Sequence, residues 1–179
     1  FFMRVCFTKL DDIKVISLNK LKKDFLNISN KYNMEFSFFD MSKKQKVLVM
    51  VSKFGHCLNN ILYQWKTGSL NCEIPIIVSN HLDMKEIVKP YDIKYNLLSV
   101  NKSNKPKQEK KLYELILKNK IDLVVLARYM QVLSPDFCKI LEGKIINIHH
   151  SFLPSFKGAR PYNQAYIQGV KIIGATAHY

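Results

Sequence analysis

From Lys46 onward the chain carries short, continuous apolar runs at 47–51, 74–78, 121–127, 145–148 and 172–175, each separated from the next by a longer mixed segment. A strand with no polar alternation has no face to give to water, so it must be covered on both sides, as happens in a parallel sheet sandwiched between helices. The intervening segments read as helices at 58–66, 84–88, 107–120 and 162–168, the last opening just after Pro161. These features predict an α/β fold built on an open, doubly wound, mostly parallel sheet. The 47% hydrophobic content of the 179 residues is enough to bury a core. No run of about 18 apolar residues is present and the amino end lacks the layout of a secretory signal, so a spanning helix is not expected and the cytoplasm is the expected compartment.

The first 45 residues follow a different pattern. Residues 1–8 are rich in aromatic and β-branched types and read as a strand. Ser17 is placed to cap a helix whose apolar stripe is Leu18, Leu21, Phe25, Ile28 and Tyr32, and Met34, Phe36 and Phe38 alternate as a second strand. A strand, helix and strand are too few to fold alone, so residues 1–45 read as part of a small α/β domain and 46–179 as a second domain. The chain opens inside one strand-like run and closes directly after another, which leads us to expect an internal piece of a longer protein.

Charge is the feature that most needs interpretation. The net charge is +14, but 25 of the 28 cations are lysine and only Arg4, Arg128 and Arg160 are arginine. Planar phosphate recognition favours the arginine fork, so nucleic acid is not the expected partner. The four cysteines, Cys6, Cys57, Cys72 and Cys138, form no Cys-x-x-Cys pair and have no histidine at metal-ligand spacing, so they read as buried thiols, with no metal site.

In an open parallel sheet, ligands collect beyond the carboxyl ends of the strands. Ile145-Ile146-Asn147-Ile148-His149-His150 ends such a strand, and alternation puts Asn147 and His149 on one face while His150 points elsewhere. An imidazole takes up a proton near neutral pH, and an amide donates to an oxygen that gains negative charge, so the pair suits attack on a carbonyl. The same two residues could also merely cap the end of a strand. The loop that follows, 151–161, is apolar and holds Pro and Gly, an unusual composition for a plain connection.

The run Asn-Ile-His-His-Ser-Phe-Leu-Pro-Ser-Phe-Lys-Gly-Ala-Arg-Pro-Tyr, from Asn147 to Tyr162, resembles the signature of the formyltetrahydrofolate deformylases of the formyltransferase superfamily, with Phe152 where the superfamily mark has Leu. Val-Ser-Lys-Phe-Gly-His-Cys-Leu-Asn at 51–59 and Ala-Arg-Tyr-Met-Gln-Val-Leu-Ser-Pro at 127–135 resemble the same enzymes. The resemblance implies a formyltransferase-like domain preceded by half of a ferredoxin-like ACT-type domain. It implies hydrolysis of 10-formyltetrahydrofolate to tetrahydrofolate and formate, with Asn147 stabilising an oxyanion and His149 as base and acid. It places a pterin pocket on Met130, Gln131, Val132 and Leu133, a stretch that otherwise reads as a strand-to-helix turn with Pro135 at a helix start. His178, which ends the last strand in Gly174-Ala-Thr-Ala-His178, matches a histidine near the family's active centre, although a strand-end histidine satisfied by backbone is an equal reading.

The implied partners are folate and water, with no cofactor, metal, nucleic acid or membrane, and assembly into a homo-oligomer is left open. The ribonucleotide transformylases of the superfamily hold a phosphate on a Gly-rich loop; here 52–56 has one glycine, Gly55, beside Lys53 and His56, which fits a reaction with water better. The family's third catalytic group is an aspartate a few residues past the position of His178, and no Asp or Glu follows Glu142. Residues 1–179 are therefore expected to be inactive, or nearly so, alone. The alternatives are formyl transfer to an amine acceptor, a non-catalytic small-molecule-sensing module, and a basic RNA-binding protein.

Overall fold

The computed structural model describes residues 3–8, 17–149, 155 and 160–179. The chain divides into two compact units, Phe1–Lys43 and Lys44–Tyr179.

In the first unit, helix α1 spans Leu18–Lys31, and Ser17 caps it by accepting a hydrogen bond from the Lys20 N–H at 3.2 Å. Leu18, Leu21 and Phe25 are half-buried, whereas Ile28 and Tyr32, expected on the same stripe, are exposed. Neither residues 3–8 nor 34–40 form a strand, contrary to the reading from sequence. The alternation survives as packing: Phe25, Phe36 and Phe38 stack edge to face with centroids 4.9–5.6 Å apart, and Phe7 meets Phe38 at 6.4 Å. A periodic pattern can select which side chains pack together, but a strand also needs a partner backbone to complete its hydrogen-bond ladder.

In the second unit, six strands, β1 (Gln45–Val51), β2 (Cys72–Ser79), β3 (Lys94–Leu97), β4 (Leu123–Leu126), β5 (Ile145–His149) and β6 (Thr176–His178), form one sheet in the order β3-β2-β1-β4-β5-β6. The first five run parallel and β6 is antiparallel to β5. Helices α2 (His56–Lys66), α3 (Lys85–Val88), α4 (Lys105–Lys118), α5 (Pro135–Ile140) and α6 (Pro161–Ile167) lie between the strands in sequence.

The two faces of β1 divide the core. Val47, Val49 and Val51 pack with Leu58 and Leu62 of α2 and Val88 of α3, while Leu48 and Met50 pack with Leu112 and Ile116 of α4 and Phe137 of α5. This is the two-sided cover that the unbroken apolar runs required. Truncating Leu62, which is fully buried, should lower unfolding free energy by about 2–5 kcal/mol in Leu62→Ala, read by urea denaturation. In β2 the pairing slips between Glu73 and Ile76, three residues facing the two-residue step Lys46 to Leu48. Pro75, which has no N–H for the ladder, sits in that irregularity.

Two elements departed from the sequence reading. β3 was not anticipated because Lys94-Tyr-Asn-Leu97 has no apolar run; as an edge strand paired only with β2, it needs none. The last strand, expected to open with the run 172–175 and to end at His178, does end at His178 but forms only over Thr176–His178, leaving Ile172 and Ile173 exposed. The cysteines also differ from expectation: Cys72 is buried and Cys57 half-buried, but Cys6 and Cys138 are exposed. No helix among the described residues is long and apolar enough to cross a membrane. Among the same residues, no group of three or more His, Cys, Asp or Glu side chains could hold a metal ion.

Candidate active site

Strand order reverses between β1 and β4, because the chain proceeds from β1 outward through β2 and β3 and then returns to the other side of β1. A crevice opens beyond the carboxyl ends at such a switch point. Three segments meet there: the turn after β1, the turn after β2 and the segment after β4.

Their junction is one hydroxyl. Ser52, buried just past β1, donates its only O–H to Asn80 Oδ1 at 2.7 Å and accepts the Met130 N–H on Oγ at 2.9 Å. Four residues further on, the Ser134 N–H donates to Glu109 Oε1 of α4 at 2.8 Å, while Ser134 Oγ caps α5 by accepting from the Phe137 N–H at 3.2 Å. Between these two fastenings lie Gln131, Val132 and Leu133, whose backbone groups make no hydrogen bond among the described residues. Gln131 and Leu133 are half-buried, and Met130 and Val132 are exposed.

Gln131, Val132 and Leu133 line a narrow cleft of about 10 Å³, with Met50, Leu112 and Tyr129 on its walls. Gln108 Oε1, also on this wall, is a buried acceptor with no partner among the described residues. Burial pushes the Tyr129 phenol up to about 12, and the Glu109 carboxylate acts in the same direction. Below pH 10 the phenol is neutral in both folded and unfolded chains; from about 10 to 12 only the unfolded chain releases its proton. Stability should therefore fall as pH rises through that window, and Tyr129→Phe should remove this part of the loss in paired denaturation curves.

In the turn after β1 the glycine is set by packing. Gly55 has an ordinary φ of −98°, and a Cβ there would collide with Met84 Sδ, so the glycine serves close packing. Lys53 and His56 are exposed. Arg128, held at a φ of 59°, lays its guanidinium over the Phe54 ring at 4.8 Å. Burial raises the nearby Cys57 thiol, with Arg128 opposing, so this cysteine is protonated at neutral pH and is not an activated nucleophile.

The second half of the site is the β5–β6 ladder. Asn147 pairs with His178 and His149 with Thr176 in antiparallel register, so these four side chains share one face. Asn147 Nδ2 lies 3.2 Å from His178 Nε2, and His178 Nδ1 lies 3.0 Å from the Tyr179 carbonyl oxygen. A carbonyl only accepts, so Nδ1 carries the proton; in the neutral ring Nε2 is then an acceptor and must receive an Asn147 N–H. This orients the Asn147 amide and leaves its second N–H for another acceptor. His149 is half-buried and its Nε2 is shielded from solvent. β4 lies beside β5 with Leu126 opposite Asn147, which brings the segment that follows β4 to the same end of the sheet.

The structure thus gathers Asn147, His149 and His178 on one ladder and Met130 to Leu133 on the adjoining segment. His150 and most of the loop 151–161 lie outside the described residues. Sequence reasoning did not single out Ser52, Asn80 or Glu109. Ser52 had a signal, being the first polar residue after an apolar run, but nothing local distinguishes Glu109 among the charges of α4.

The formyl transferase family profile matches residues 45–179. The chain is 47% identical over 178 residues to a formyltetrahydrofolate deformylase of Corynebacterium sp. (strain P-1), covering 99% of this chain and 62% of that protein. It superposes on the crystal structure of a formyltetrahydrofolate deformylase from Pseudomonas syringae pv. tomato with a TM-score of 0.83 at 40% identity, covering 92% of this chain and 55% of the other. A phosphoribosylglycinamide formyltransferase from Bacillus halodurans gives a TM-score of 0.69 at 32% identity, covering 75% and 71%. Against its first deformylase relatives the chain spans 47–62% of their length. With β5, its antiparallel partner β6 and the switch-point segment all inside the matched region, the chain belongs to the formyl transferase family.

Proposed function

We propose that the whole protein hydrolyses 10-formyltetrahydrofolate to tetrahydrofolate and formate. The observation that carries this reading is the shared face of Asn147 and His149, with His178 turning the Asn147 amide so that one N–H is left for a substrate oxygen. The pterin is proposed to lie against Met130 to Leu133, where backbone groups of residues 131–133 are free to meet its polar edge and the side chains flank its ring.

In this mechanism water attacks the formyl carbon as His149 takes one of its protons, and a new C–O bond forms. The carbonyl oxygen becomes an oxyanion that accepts the free Asn147 N–H. Collapse expels N10, which takes the proton held by His149, so the C–N bond breaks and formic acid is released, losing its remaining proton to water as formate. A steadying carboxylate for His149, for which residues 143–179 offer no candidate, is proposed to come from elsewhere in the whole protein. Imidazole and amide suffice for each step, so no metal or cofactor is invoked. The proposed compartment is the cytoplasm, and the lysine surplus is proposed to attract the anionic tail of folate rather than nucleic acid.

Formyl transfer to an amine acceptor is the second reading, supported by the structural likeness to a phosphoribosylglycinamide formyltransferase. The single glycine of the 52–56 turn favours water over a phosphate-bearing acceptor. Formate release by the whole protein, measured with and without candidate amines, decides between them: hydrolysis gives the same formate yield in both, whereas transfer diverts the formyl group to the amine.

A further inference from the structure

We propose that Ser52 and Glu109 are positioning residues that clamp the two ends of the segment 130–134, and so hold its free backbone groups where a ligand meets them. The nature of that ligand rests on the reading above; the clamp rests on the geometry alone.

A segment whose backbone must recognise a flat heterocycle cannot spend its own N–H groups on secondary structure. It then lacks the ladder that would make it rigid. The structure resolves this conflict by tethering only the flanks. The Met130 N–H is tied to Ser52 Oγ and the Ser134 N–H to Glu109 Oε1, leaving the backbone of the three residues between them without a hydrogen bond among the described residues. The anchors come from different elements, the end of β1 and helix α4, so the segment is fixed to both the sheet and a helix of its outer layer.

The Ser52 anchor is directional. A serine hydroxyl has one proton, and Asn80 Oδ1 takes it, so a lone pair of Oγ is presented to the Met130 N–H. Ser52 and Asn80 are only 3% and 7% exposed, which leaves water little access to replace either bond. The Glu109 anchor is partly buried and charge-assisted, the stronger class of hydrogen bond.

Glu109→Ala, Glu109→Gln and Ser52→Ala in the whole protein test the clamp, with Leu62→Ala, across the sheet, as a control for destabilisation alone. Without ligand, amide hydrogen exchange at Ser134 should accelerate about tenfold or more in Glu109→Ala and at Met130 in Ser52→Ala, following loss of the tethering bond. Glu109→Gln keeps a carbonyl acceptor and should retain slow exchange. With substrate, KM and the calorimetric Kd for tetrahydrofolate should rise about tenfold in both alanine variants, with kcat within about threefold. Leu62→Ala should lower the melting temperature without moving KM. Unchanged exchange in the alanine variants, or an equal loss in Glu109→Gln, overturns the clamp. A kcat loss without a KM change also overturns it. If the unsubstituted protein neither binds tetrahydrofolate nor releases formate, the functional reading fails instead, and exchange still decides the clamp.

Discussion

Replacing His149 by alanine in the whole protein is expected to reduce kcat for formate release by about three orders of magnitude, while the calorimetric Kd for tetrahydrofolate changes less than about threefold. A positioned general acid–base contributes roughly 10²–10⁴, and His149 is asked both to take the proton of water and to return it to N10. The binding surface assigned to the pterin is the segment after β4, which His149 is not part of. Water and the Asn147 amide remain in the variant, so residual turnover should persist with a shallower dependence on pH. Substantial turnover with the native pH profile would remove His149 from the mechanism.

Asn147→Ala is expected to lower kcat by about 10²–10³, the usual loss when one oxyanion donor is removed from an enclosed site. The structure adds a second expectation. In the neutral tautomer with its Nδ1 proton on the Tyr179 oxygen, His178 Nε2 accepts an Asn147 N–H. His178→Ala frees the amide to rotate, so it should lose part of the same kcat, and the double variant should lose little more than Asn147→Ala. Multiplicative losses would show that His178 acts independently of the amide. Single-turnover formate release on the three variants measures this coupling directly.

Much of this site could be read before any coordinates. The parity of Asn147 and His149 follows from strand alternation once 145–148 is recognised as a strand, and the structure places both on one face as that rule requires. His178 was identified by resemblance and as the end of the last strand, but its contact with Asn147 depends on an antiparallel register that the sequence does not announce. Ser17 as a cap and Pro161 as a helix start are local effects and were legible. The aromatic residues of the first unit show the limit, since their periodicity correctly selected which rings cluster but not whether the backbone pairs.

The clamp lies wholly beyond local reading. Ser52 and Met130 are 78 positions apart, and Glu109 and Ser134 are 25 apart. What the amino-acid sequence determined by itself was everything set by short-range periodicity and chemistry: two-sided strands, amphipathic helices, caps, and an amide and an imidazole on the same side of one strand. Only the tertiary structure decided which strand ends meet, where β6 pairs, and which polar groups the segment after β4 keeps free. Hydrogen bonds between distant residues depend on the closure of the whole chain, and a single Ser or Glu carries no local mark of the partner that folding will bring to it.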